Sequence, residues 1–316
     1  LKKYRWRMFW GIVLTTIVAA CALVSPYVSK LIVDRVIQHE QYGMLKNLII
    51  VLIVTIIIRG ICRFFSQVLF ETSSQNVLYS MRDTVYRKLL QEDFAFYNKN
   101  RTGDLMSRQT GDMDAIRHFV AYVIYVTYEY VLYFVIALIM IFATNLKMAL
   151  CMVLVLPLTA LTTYFQAKSV KPAFRNCRNA FSSLNTFVQE NVSGNRVVKA
   201  FAKEDYEMEK FAVENDKYRD SELGAANVWK KYVPLFELFS NILTLVLMLV
   251  GGIMVVNGQM TMGDLVAVNG YLWMLTMPLR MAGWLINDMQ RFTTSVEKIY
   301  NTYIAEPDVK KPLNPI

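Results

Sequence analysis

Six apolar stretches, each long enough to cross a bilayer, divide this chain, and two of the polar intervals between them are unusually long, charged and helix-prone. The stretches lie at about 9–37, 47–70, 119–143, 148–166, 232–256 and 264–287. A hydrocarbon core about 30 Å thick needs about 20 apolar helical residues to cross, because peptide groups in lipid must be hydrogen-bonded within the segment. A mean hydropathy of +0.31, with 55% hydrophobic residues, argues against buried core helices of a soluble protein. The basic prelude Lys2-Lys3-Tyr4-Arg5-Trp6-Arg7 resembles the start of a signal peptide. The apolar run after it is too long and lacks a small-residue cleavage site, so a retained first helix is expected.

The two polar intervals, 71–118 and 168–231, do not read as loops. No Gly or Pro occurs between Gly60 and Gly103, and the residues there are mostly good helix formers. The intervals therefore read as membrane helices continued into water, reaching tens of ångströms beyond the bilayer at about 1.5 Å per residue. The second is less continuous, with Lys171-Pro172, Gly194 and Gly224; a proline there is expected to bend or interrupt the helix. Pro234 and Pro278 sit in the fifth and sixth stretches, as points of flexure or as ordinary structural prolines.

Charge orients the chain. Lys and Arg crowd the N-terminal arm, both long intervals and the C-terminal tail, whereas the short connections hold only Lys46 and Lys147. By the positive-inside rule both termini and both long intervals are expected to be cytoplasmic, in a multi-pass protein of the cell membrane. The net charge of +9 then belongs beside anionic lipids. Mixed signs (Arg82-Asp83, Lys203-Glu204-Asp205) argue against a nucleic-acid partner. Cys21, Cys62, Cys151 and Cys177 show no paired spacing, and with only His39 and His118 no metal centre is expected. Carboxylate, His and Cys residues have no catalytic spacing, which disfavours a membrane enzyme.

The most specific strings sit at bends of the charged intervals. The first runs Phe94-Ala95-Phe96-Tyr97-Asn98-Lys99-Asn100-Arg101-Thr102-Gly103-Asp104-Leu105-Met106-Ser107-Arg108, followed by Asp112, Asp114 and Ile116. It reads as a helix end, a polar bridge and a restart, with Gly103 at the turn and Asp104 as N-cap. The second is Glu190-Asn191-Val192-Ser193-Gly194-Asn195-Arg196-Val197-Val198-Lys199-Ala200-Phe201-Ala202-Lys203-Glu204-Asp205-Tyr206. Both resemble strings of the transmembrane domain of ATP-binding-cassette exporters, the six-helix half-transporter type. Ser25-Pro26-Tyr27-Val28-Ser29-Lys30-Leu31-Ile32-Val33-Asp34 is similar to the family's first helix. Gly258-Gln259-Met260-Thr261-Met262-Gly263-Asp264-Leu265-Val266-Ala267, then Pro278-Leu279, is similar to its sixth. The order and spacing match across the chain. One departure is Val296-Glu297-Lys298-Ile299, where the family more often has arginine; lysine keeps the charge and loses the fork.

The resemblance implies an all-α exporter transmembrane domain over 1–305, acting as a dimer in which the fourth and fifth helices cross to the other half. That half is identical or different, giving a homodimer or a heterodimer. It also implies two coupling helices seated on nucleotide-binding domains: Asn98, Lys99, Asn100, Arg101, Thr102 and Gly103 in the first, and Phe201, Ala202, Lys203, Glu204, Asp205 and Tyr206 in the second. Phe201 and Phe96 either make that contact or only pack the arms together. The sequence contains neither G-x-x-x-x-G-K-[ST] nor S-G-G-Q, so this chain alone is expected to bind no cofactor and hydrolyse no ATP. ATP and magnesium would sit on a nucleotide-binding domain reached through a linker begun at 306–316, removed from this stretch or carried by another chain. The implied activity is ATP-driven export of a lipophilic or amphipathic drug, lipid or peptide by alternating access. The alternative is a channel-like or regulatory subunit that reuses the fold without pumping.

Ionisable residues inside the spans cost about 2.5–3.5 kcal/mol each on insertion scales, so each calls for a partner or a wet cavity. Arg59 and Glu129 lie at similar depth and are expected to pair; otherwise Glu129 faces a cavity and selects cationic amphiphiles. Glu237 and Arg280 are candidates for a cavity wall or an inter-helix pair. Tyr122, Tyr125, Tyr128 and Tyr133 fall near one face with Glu129, as cavity lining or as packing.

Overall fold

A computed structural model describes residues 4–305 and 307; the expected linker at 306–316 otherwise lies outside the described residues. Among the described residues the chain is helical, with no strand. Helix α1 (Arg5–Leu31) continues as a π-helical turn to Ile37. Helix α2 (Leu45–Leu89) is followed by the short α3 (Phe94–Lys99). Helices α4 (Thr102–Ser107), α5 (Met113–His118) and α6 (Ile124–Thr144), joined by π turns, form one rod. Helix α7 (Leu146–Ser193) leads to the short α8 (Asn195–Ala200), then α9 (Glu204–Val246), a π turn and α10 (Gly252–Val256). Helix α11 (Met262–Ile304) closes the chain.

Among the described residues, five rods are long and apolar enough to cross a membrane: Arg5–Ile37, Tyr42–Leu89, Thr102–Thr144, Leu146–Ser193 and Glu204–Val256. The sixth, α11, has 43 residues but is not among the five. Asn269, Pro278 and Arg280 dilute its apolar run. At 48 residues, the Tyr42–Leu89 rod is about 72 Å long, more than twice the hydrocarbon thickness. The charged intervals are thus helical continuations of the spans. Pro172 interrupts nothing: α7 runs through both Pro157 and Pro172. A proline forfeits one ladder bond, which forty-eight contiguous helical residues absorb.

The described residues form two compact units, one within 1–149 and 247–316 and the other 150–246. In the first, α1 lays a stripe of Gly11, Thr15, Val18, Ala19, Ala22 and Pro26 inward. Small residues at this spacing let helix backbones approach closely, the packing mode available where lipid removes the hydrophobic drive. The Thr15 and Ser66 hydroxyls lie 2.9 Å apart, and Ser66 also donates to the Gly11 carbonyl at 3.0 Å. A side chain at position 11 would meet the Phe70 ring at 2.8 Å. In the second unit α7 and α9 pack along one another through Phe181–Tyr218 and Phe187–Phe211, with ring centroids 5.4 and 6.5 Å apart. Cys177 donates to the Ser221 carbonyl at 3.1 Å, and the Ser169 and Tyr232 hydroxyls meet at 3.1 Å.

The turns between α6 and α7 and before α11 are short for definite reasons. Asn145 alone separates α6 from α7, its side-chain oxygen accepting from the N–H groups of Lys147 (3.0 Å) and Met148 (3.2 Å). Gly258, at φ +69°, turns the chain toward α11. Thr261 then starts that helix with a reciprocal capping box: its hydroxyl accepts from the Asp264 N–H, and the Asp264 carboxylate accepts from the Thr261 N–H.

Candidate functional site

Two bends carry the residues expected to contact a partner. At the first, Asp93 caps α3 by accepting from the Phe96 N–H at 2.9 Å. The helix ends at Lys99, and Asn100 and Arg101 are extended. The expected segment 98–103 therefore straddles the end of α3, the bend and the first residues of α4. Gly103 lies inside α4 and Arg101 occupies the N-cap position, so the turn is made two residues earlier than expected; Asp104 supports the first helical turn instead. The reason is local: Asn100 closes α3 through its side chain, donating to the Phe96 carbonyl at 3.0 Å. Phe96 is half-buried against Tyr97, at 5.6 Å between centroids. The aromatic that stands free is Phe94, 89% exposed.

At the second bend Gly194 separates α7 from α8, and Phe201, Ala202 and Lys203 turn the chain into α9. Ala202 takes a left-handed conformation, φ 47°. The expected segment 201–206 thus holds the turn and the start of α9, and the short helix precedes it. Lys199 donates to Glu204 across the turn at 2.9 Å, and its ammonium holds the Glu204 carboxyl below the usual range. Phe201 is 72% exposed and Tyr206 is also exposed, so among the described residues little packing covers the Phe201 ring.

Within the spans, Glu129 is buried and its partner is Arg63, at 2.6 Å, rather than Arg59. Arg59 lies one turn away on the same face of α2 and donates to the Tyr133 hydroxyl at 3.4 Å; that hydroxyl donates to the other Glu129 oxygen at 2.5 Å. Depth along the sequence could not separate two arginines four residues apart. Tyr125 is buried against Phe70, with centroids 5.2 Å apart. Glu237 is exposed on α9 of the second unit, and Arg280 is exposed on α11 of the first.

The sequence strings also meet one another, at two places along α11. Asp34 accepts from the Thr261 hydroxyl (2.8 Å) and from the Gly263 N–H (2.7 Å), and Lys30 pairs with Asp264 at 2.5 Å. At the far end Asp112 accepts from Ser295 (2.9 Å) and from Lys298 (3.2 Å), while Arg108 donates to Thr302 at 2.8 Å. Lys298, the departure from the usual arginine, still reaches its carboxylate. Ser295 and Thr302 flank Lys298 at helical spacing, a signal that becomes legible only once Asp112 is known to face them.

The family model for the ABC transporter transmembrane region matches residues 8–279. A Bacillus subtilis (strain 168) protein described as an uncharacterized ABC transporter ATP-binding protein, YknU, is 31% identical over 98% of this chain and 54% of its own length. The multidrug resistance-like ATP-binding protein MdlA of Escherichia coli (strain K12) is 28% identical over 99% of this chain and 54% of its own. An ATP-dependent lipid A-core flippase of Syntrophus aciditrophicus (strain SB) is 25% identical over 91% and 47%. The chain spans about half the length of the curated relatives it matches. Helical rods that overreach a bilayer, short helices at the bends of the charged segments, and motif strings that fasten α11 to its neighbours agree with this match: the chain belongs to the ABC transporter transmembrane region family.

Proposed function

We propose that this chain is the membrane permease part of an ATP-driven exporter that moves a lipophilic or amphipathic molecule out of the cytoplasm or inner leaflet. The observation that carries this reading is the pair of helical arms whose bends leave Phe94 and Phe201 largely uncovered among the described residues. An exposed aromatic with a charged surround suits an anchor in a protein groove. The occupant that fits is a nucleotide-binding domain holding ATP and magnesium, since three relatives are named for ATP binding or ATP dependence. The names multidrug resistance-like and lipid A-core flippase support a lipophilic cargo, drug or lipid. Lys and Arg on the long segments support cytoplasmic arms and termini in the cell membrane. The slender α7–α9 unit, mostly exposed along its length, suits packing against a second membrane domain in a domain-swapped dimer.

Glu129 is spent on Arg63 and Tyr133, so it does not select a cationic cargo. Transport work is then done by two arrangements of the helices, each favoured by a different state of the attached ATPase. The test is ATP-dependent uptake of a lipophilic dye and of a labelled lipid into inside-out vesicles holding the full-length protein. Accumulation that requires ATP hydrolysis is expected. Dye or lipid equilibration at the same rate without ATP would favour the channel-like alternative.

A further inference from the structure

A cleft of about 460 Å³ opens where α2 and the α5–α6 rod leave the apolar spans for the charged segments. Its apolar side is Phe64, Val68 and Tyr122, all exposed. Phe64 and Val68 continue a stripe of exposed Ile57 and Ile61 along α2, at helical spacing, so the cleft is continuous with a face suited to acyl chains. At its polar end are Glu71, Arg117 and His118.

The charges there are incompletely used. Arg117 donates Nε to Asp114 (2.8 Å) and Nη1 to Glu71 (3.1 Å), which leaves Nη2 donors of the guanidinium. Glu71 is half-exposed, and among the described residues the hydrogen bonds to its carboxylate, from Gln75 and Arg117, both fall on Oε1, leaving Oε2 as an open anionic acceptor. His118 is held by Asp288 at 3.2 Å and stacks on Tyr122, with centroids 5.6 Å apart. Tyr122 in turn meets the edge of Trp284 at 5.5 Å, which fixes an aromatic wall beside the carboxylate. One open carboxylate oxygen, one set of guanidinium donors and an aromatic wall match a head that carries ammonium and phosphate together.

We propose that this cleft is a binding site for a bilayer phospholipid with a primary-ammonium headgroup. The ammonium meets Glu71 Oε2 and the Tyr122 face, the phosphate takes the remaining Arg117 donors, and an acyl chain lies along Phe64 and Val68. The side of the membrane on which the lipid sits, the inner leaflet, rests on the orientation proposed above; the headgroup chemistry does not.

Spin-labelled phosphatidylethanolamine and phosphatidylcholine, offered to the full-length protein in phosphatidylcholine bilayers without nucleotide, separate the cases. The two share phosphate and chains and differ in the N–H donors. The ethanolamine lipid is expected to be retained about threefold more than the choline lipid. Glu71→Gln, which removes the charge, and Val68→Trp, which fills the apolar end and leaves every charge in place, should each bring the ratio near unity. Equal retention of the two lipids by the unaltered protein, or a preference that survives both substitutions, would overturn the proposal. Full competition by soluble ethanolamine would also overturn it, by showing a site for a free amine. Because no ATP is present, failure here leaves the export reading intact, and failure of ATP-driven uptake leaves this binding intact.

Discussion

Arg63→Leu is expected to destabilise the folded protein by about 3–5 kcal/mol, the cost of leaving a buried charge without its partner. Glu129 is 3% exposed, against 40% for the Arg63 side chain, so the two single substitutions should differ. With Glu129→Leu the arginine can lead its long stem toward solvent, so the loss should be smaller. The double substitution to leucine should recover most of the stability, because two leucines suit the depth at which the pair sits. A thermal-unfolding series in detergent or bilayer across the two single variants and the double variant reads the coupling directly. Independent, additive losses would refute the pairing. Arg59→Leu provides the contrast: it removes one 3.4 Å bond to Tyr133 and should cost much less.

Gly263→Ala should be nearly as damaging, by a different route. A Cβ at this position would stand 2.5 Å from the Asp34 carboxyl and 2.5 Å from the Lys30 backbone carbonyl. The carboxyl could swing aside only by giving up its bonds to the Thr261 hydroxyl and the Gly263 N–H, and the carbonyl belongs to a helix. The expected cost is about 3 kcal/mol, the upper part of the range for overpacking. Gly60→Ala is the matched control: nothing lies within 4 Å of its added carbon, inside α2. That change should be neutral or stabilising by about 0.5–1 kcal/mol, since it removes backbone freedom from a helix interior. Equal unfolding midpoints for the two alanine variants would contradict the close approach of α1 and α11.

These two sites also show what was legible in advance. Apolar length and the scarcity of Gly and Pro marked the helical class and the overreach of the rods, because both act along one segment at a time. The strings around Asp34, Gly263 and Asp112 signalled the family, yet not that they clasp each other; contacts between residues more than 180 positions apart leave no trace in local pattern. Depth alone does not distinguish Arg63 from the expected Arg59, because a four-residue step on one helix face changes depth by only about 6 Å. At the bends, Gly103 and Asp104 gave the stronger local turn signal, while the Asp93 cap and the Asn100 side chain decided where α3 begins and ends. Pro172 misled for the opposite reason, a strong local breaker outweighed by a long continuous helix.

If the bend at Phe201 passes the work of an attached ATPase to the membrane helices, as proposed, the transport-to-hydrolysis ratio of Phe201→Ala in the full-length protein should register its loss. The ring is exposed, so its removal should leave folding and basal ATP hydrolysis intact. Transport per ATP hydrolysed is predicted to fall about tenfold, the loss of one anchoring contact worth about 1.4 kcal/mol. An unchanged ratio, with cargo-stimulated hydrolysis also unchanged, would rule out coupling through Phe201.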